Sequence, residues 1–130
     1  MSKDNRTINE EYAIIGQNLI ETEDRLAYIR NSNVKIIYLE SEKDKKMQGE
    51  AVFGLCEKVQ DKNKWAIDAD YTITLFKPNI DAAEVTEKGL ELLIYHELYH
   101  IADDLSSTRP HDLKDFKFLI DEYGTDWLHA

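Results

Sequence analysis

The sequence predicts an α+β domain whose helices and strands are segregated along the chain. Two helix-spaced apolar patterns flank a central group of short β-rich runs. The first comprises Ile8, Tyr12, Ile15, Leu19, Leu26 and Ile29, and the second comprises Ile94, Leu98, Ile101 and Leu105. The runs between them are β-branched and aromatic and are bounded by turn residues. The order is helix, three strands, helix, helix, which is a segregated α+β layout.

The elements follow in order. An amphipathic helix over about 8–29, open to interruption, leads into the turn residues Asn31, Ser32 and Asn33. The run 34–40, VKIIYLE, predicts the first strand. A charged link, 41–48, precedes a second strand over 49–59, in which Gly54 marks a bulge or a bend. Residues 60–64 read as a polar turn. In the third strand, 70–76, Tyr71, Ile73 and Leu75 alternate with Thr72, Thr74 and Phe76. That alternation predicts a mainly antiparallel, three-stranded sheet with one face packed and the other partly open. Pro78 ends the strand. Residues over about 81–105 read as a long helix, or a short entry followed by a long helix, carrying the apolar stripe from Ile94 to Leu105. Residues 106–110, SSTRP, break it, and a last helix spans about 111–124. Asp112 suits the positive end of that helix. Phe116, Leu119, Ile120 and Tyr123 form its buried face, Gly124 its C-terminal cap, and Trp127 packs back on the core.

The 130 residues suit a single domain, 1–130, with one modest core. Lys plus Arg total 16 against 26 Asp plus Glu, a net charge of −10. Such a surface repels phosphate backbones and anionic lipid, so neither nucleic acid nor membrane is an expected partner. The acids Glu21, Glu23 and Asp24 read as a solvated helix face. The single cysteine, Cys56, excludes an intrachain disulfide and a cysteine-built zinc knuckle, and it reads as a small buried hydrophobe. The N-terminus has no apolar signal region and no run approaches a membrane span, so the expected compartment is the cytoplasm.

Three of the four histidines fall within YHELYHIADDLSSTRPHDLKDF, residues 95–116. His96 and His100 are four residues apart, one helical turn, so both imidazoles can reach one ion. Glu97 lies about 100° round the helix from His96, within reach of a water on that ion. This is the physical content of the H-E-x-x-H pattern: two nitrogen ligands for zinc and a carboxylate to take a proton from the attacking water. Catalytic zinc sites use three protein ligands and keep one position open. His111 is the expected third ligand, returned to the first helix by the 106–110 break. Asp103, Asp104, Asp112 and Asp115 compete for that role. Asp104 and Asp115 follow His100 and His111 by four residues and suit acceptance of imidazole N–H bonds, with Asp112 a further candidate. Arg109 and Tyr123 are candidate transition-state stabilisers. His129 reads as a solvated tail residue.

The segments DADYTITLF, LELLIYHELYHI and RPHDLKDFKFLIDEYGTDW resemble the phage metallopeptidases, small zincin-like proteins encoded by bacteriophages and integrated elements. The likeness runs from about Val34 to Trp127, and the layout is more distantly similar to the SprT-like minimal zincins. The resemblance implies a minimal zincin-like domain with one zinc per chain at His96, His100 and His111, and with Glu97 as catalytic base. It implies a gluzincin-like peptidase of phage or mobile-element origin in the bacterial host cytoplasm. It further implies a protein or peptide substrate docked as an added strand along 70–76. Two other classes compete. One is a zincin-scaffold binding or anti-defence protein that grips a host protein without cutting it. The other is a structural zinc site closed by Asp104 or Asp112.

Overall fold

The run 71–76 forms the spine of the sheet, because every one of its side chains finds cover. A computed structural model describes residues 5–109 and 116–130 of the chain. The strand elements are β1 (Arg6–Ile8), β2 (Ile36–Ser41), β3 (Lys46–Met47), β4 (Glu50–Ala51), β5 (Gly54–Lys58) and β6 (Tyr71–Phe76). The helices are α1 (Glu10–Thr22), α2 (Ala27–Arg30), α3 (Lys77–Ala82), α4 (Glu87–Tyr99) and α5 (Lys117–Tyr123). The architecture is α+β with a mixed sheet of four strands in the order β1-β2-β6-β5, and β3 and β4 form a separate hairpin.

The expected three-stranded, mainly antiparallel sheet is corrected in two respects. β1 adds a fourth strand, antiparallel to β2, with Arg6 opposite Ser41. Three residues are too few to show a period, and Ile8, expected in the first helix, sits in this strand and is exposed. β2 and β6 run parallel, Tyr38 beside Ile73, while β5 and β6 run antiparallel, Cys56 beside Ile73. The parallel pair arises because the chain passes beyond β6 to make β5 before returning. The face expected to be partly open is also covered, with Thr72, Thr74 and Phe76 all buried. The Arg6 guanidinium reaches Thr74 Oγ1 at 3.2 Å and Glu57 at 3.1 Å on that side.

The first helix divides. Asn9 caps α1, its side chain accepting from Tyr12 N at 3.0 Å. The helix stops at Thr22, and a 3-10 turn, Asp24–Leu26, leads into α2. Arg30 of α2 donates to the carbonyls of Ile20 and Glu21, covering acceptors that the end of α1 leaves open. Of the two readings for 81–105, the structure has the short entry, α3, followed by the longer helix, α4. Pro78 stands in the first turn of α3, where its fixed φ suits a helix start. Glu84 takes φ 53°, and Thr86 then caps α4 by accepting from Gly89 N at 2.9 Å. Leu92, Ile94, Tyr95 and Leu98 are buried against the sheet and α1. The last helix, expected from about 111, starts only at Lys117, because Phe116 is its extended N-cap with ψ 129°, and it ends as expected at Gly124, with φ 83°. Among the described residues no helix is long and apolar enough to cross a membrane.

Candidate metal centre

α4 ends one residue short of His100, six residues earlier than its apolar stripe suggests. The local cause is side-chain competition for the backbone. Asp104 Oδ1 accepts from Ser106 N at 2.9 Å and from Ser107 Oγ at 3.1 Å, and Leu105 takes φ 58°. The chain doubles back, so that Ile101 bridges Thr108 and Arg109 N donates to His100 O. Two tyrosines bind the returning loop to the rest of the domain. Tyr28 donates to Ile101 O, and Tyr71 donates to Ser107 O at 2.7 Å.

The helical turn then does what the spacing predicts. One ligand atom from each of His96, Glu97 and His100 lies within 4.8 Å of the others. The two imidazole rings stand 5.0 Å apart, and His96 Nε2 is 3.9 Å from Glu97 Oε2. His96 and Glu97 are buried and His100 is half-buried. His100 Nδ1 lies 2.6 Å from the backbone oxygen of Arg109. A carbonyl only accepts, so Nδ1 carries the proton, and in the neutral ring Nε2 then keeps the lone pair that a metal ligand needs. The donor set therefore fits a divalent metal: two imidazoles, one of fixed tautomer, and a carboxylate within a narrow space.

Aromatic rings enclose the pair. Phe116 lies 5.1 Å from the His96 ring and 4.8 Å from that of His100, and Trp127 stacks on His96 at 5.5 Å. Trp127 thus packs back as expected, onto the site itself. A cleft of about 800 Å³ opens here between α4, β5, the β3–β4 hairpin and the C-terminal turn, Trp127–His129. Cys56 lines it. Burial, with the Glu97 and Glu57 carboxylates nearby, pushes that thiol far above its ordinary value, which favours the neutral form.

Gly54, read from the sequence only as a bulge or a bend, is where the strand closely approaches the candidate site. A Cβ there would stand 2.9 Å from Glu97 Oε2 and 3.0 Å from Leu75 Cδ2. The absent side chain is the space into which the carboxylate fits. An isolated glycine in a strand is the signal, because it marks close approach as readily as a bend.

Other candidates are placed elsewhere. Asp104 shapes the loop, and the acceptor for the His100 N–H is the Arg109 carbonyl. Its carboxyl is held below its ordinary value, chiefly by the Ser106 backbone N–H. Asp103 pairs with Arg109. The Arg109 guanidinium, though at the cleft, donates to Tyr99 O at 3.0 Å and lies 4.2 Å from the Tyr99 ring, so it is engaged in holding the loop. Tyr123 lies outside the cleft lining, with Lys88 Nζ 5.6 Å from its ring. His129 is not a free tail residue, since both its ring nitrogens are bonded. His111, Asp112 and Asp115 lie outside the described residues. The expected docking strand is also corrected. β6 is paired on both edges, to β2 and β5, and offers no free edge.

Fold and site together define an α+β domain with a His-Glu-His group, buried except for the half-buried His100, at an open cleft. The family described as "Putative phage metallopeptidase" matches residues 5–130, and the chain belongs to that family. No curated protein and no solved structure gives a match.

Proposed function

We propose that the protein is a zinc-dependent, gluzincin-like metallopeptidase with a minimal zincin-like site, acting in the cytoplasm of a bacterial host. The observation that carries this reading is the convergence of His96, Glu97 and His100 within 4.8 Å at the cleft. Family membership supports it. His96 and His100 would hold the metal, one zinc per chain, with His111 as the third ligand. Zinc bound there would supply Lewis acidity, acidifying water and polarising a peptide carbonyl. Glu97 takes the proton of the attacking water and returns it to the leaving amine. Its carboxylate is positioned by the space over Gly54.

The peptide would dock along β5 rather than β6. Phe76 N donates to Phe53 O, and Val59 N donates to Asp70 O. Those two bonds set the phase of the antiparallel pair, so Phe53, Leu55, Glu57 and Val59 bond to β6. The backbone N–H and C=O groups of Gly54, Cys56 and Lys58 then point to the outer edge. Among the described residues no other strand pairs there. Gly54 and Cys56 also line the cleft, so an added strand would run past Glu97. No DNA partner is expected for a chain of net charge −10.

The test is Glu97→Gln, which keeps size and removes the base. The variant should bind zinc at parent stoichiometry and lose peptide hydrolysis. Undiminished cleavage in a metal-loaded variant would refute the base assignment.

A further inference from the structure

The β3–β4 hairpin at the cleft is placed by the core, not by itself. Its strands have two residues each, too few to be stable alone. Gln48 and Gly49 turn it with φ of 52° and 79°, the sense of a type I′ turn. The stem closes where Val52 N donates to Lys45 O at 3.0 Å. Beneath it lies the buried side chain of Asn79. Its Nδ2 donates to Lys45 O and to Val52 O, both at 2.8 Å. One amide group uses both of its donors to tie the two ends of the stem together.

Within 46–51 the single bulky apolar side chain is Met47, 58% exposed, and it lines the cleft. Val52, Phe53, Leu93, Trp127 and Leu128 continue the apolar lining. Between Ala51 and Leu55 the lining has no charged side chain, and the charged groups of the cleft, Glu97, Arg109 and Asp126, belong to other elements, so a charged peptide residue seated on this stretch would lose water against an apolar wall. Exposed apolar area of this kind is stabilised when a ligand covers it.

Resting on the peptidase reading above, we propose that the β3–β4 hairpin selects the substrate: Met47, held at the cleft by Asn79, receives a bulky apolar side chain of a peptide paired with the outer edge of β5. A paired peptide turns every second side chain to the same face, so one such side chain meets this lining while the backbone is held at Gly54 and Cys56. The flexible thioether of Met47 adapts to shape, which makes the preference one for Leu, Met and Phe as a class.

The experiment uses the full chain with Glu97→Gln, loaded with zinc, so that peptides bind uncut. Calorimetry measures capped Ala-Ala-Ala-X-Ala-Ala with X as Leu, Phe, Asp or Lys. The Leu and Phe peptides should bind about tenfold more tightly than the Asp and Lys peptides. Adding Met47→Asp should leave the melting temperature unchanged, erase that margin and bring the Lys peptide ahead. Adding Asn79→Ala should weaken the Leu peptide selectively. Equal affinity for all four peptides, binding of none, or a margin that survives Met47→Asp would overturn the proposal. Zinc-loaded parent protein that binds the Leu peptide and leaves it intact would instead count against hydrolysis, with the hairpin's role standing.

Discussion

Glu97 and Gly54 meet across the cleft, and that contact makes a glycine part of the site. Gly54→Ala puts a methyl group 2.9 Å from Glu97 Oε2. The carboxylate is the far end of a flexible chain and is the easier group to displace. The variant should therefore fold, losing no more than about 1 kcal/mol, while peptide hydrolysis falls about tenfold or more. Thermal melts and initial rates on one preparation check both halves, and parent activity in a folded Gly54→Ala protein would remove Gly54 from the site. His129 acts at the same scale. Its Nδ1 faces Asp126 Oδ1 at 2.6 Å and its Nε2 faces Ala83 O at 2.7 Å. With the carboxylate ionised, both oxygens accept, so both nitrogens donate and the imidazolium is favoured. The Ala83 carbonyl, then Asp126, raises the ring above its ordinary 6.5, with Glu84 adding to the effect. A raised folded value means that the stabilisation is complete below about 6.5 and is lost as pH climbs through the folded value. The melting-temperature gap between parent and His129→Ala should shrink with rising pH across that window. A gap that does not vary with pH would contradict the charged clasp.

α4 is the element on which the site depends, and its two ends are set by different chemistry. At its start, Thr86 caps the helix through Gly89 N, while Thr86 N donates to Leu128 O in the C-terminal turn and its hydroxyl is shared between Ala130 O at 3.0 Å and Leu128 O at 3.3 Å. Gly89 permits that crossing, because a Cβ there would overlap Leu128 O. Thr86→Ala should cost about 1 kcal/mol from the lost cap and loosen the turn that carries Trp127 onto His96. Denaturant melts measure the first effect, and tryptophan fluorescence reads the second. A loss of stability with unchanged Trp127 emission would separate cap from turn and refute the coupling. At its other end, the helix stops where Asp104, Ser106 and Ser107 compete for the backbone, and the same loop supplies the carbonyl that sets the His100 tautomer. The polar run SSTRP, 106–110, was visible as a break. Its exact start was not, because the stripe Ile94, Leu98 and Ile101 stays apolar and buried through the turn.

At the scale of the whole molecule, a metal at His96 and His100 would act on the native state alone. Zinc should raise the melting temperature, with about 2.7 kcal/mol expected at a hundredfold excess over the dissociation constant, and a chelator should reverse it. His111→Ala should weaken zinc binding by orders of magnitude, whereas Asp104→Ala, whose carboxylate shapes the loop behind His100, should weaken it far less. Equal zinc affinity in parent and His111→Ala would return the third ligand to the other carboxylates. Unchanged melting on zinc addition would sink the metal reading altogether.

The sequence by itself determined what depends on neighbours along the chain. Four-residue spacing placed His96 and His100 on one turn with Glu97 beside them, and β-branched runs marked β2, β5 and β6. Helical periodicity also marked the buried faces of α1 and α4, and Gly124 the end of α5. Tertiary structure decided everything that depends on chain crossings. It set β6 between a parallel and an antiparallel neighbour, which left β5 at the edge by the cleft. It placed Glu97 over Gly54, 43 positions earlier in the chain, and brought Trp127 onto His96. It also drew the Arg109 carbonyl to His100 and suspended Met47 from Asn79 through its stem. Periodicity reports which way a side chain faces on its own element. It carries no information about which element comes to meet it, because that is set by the packing of the whole chain around one core.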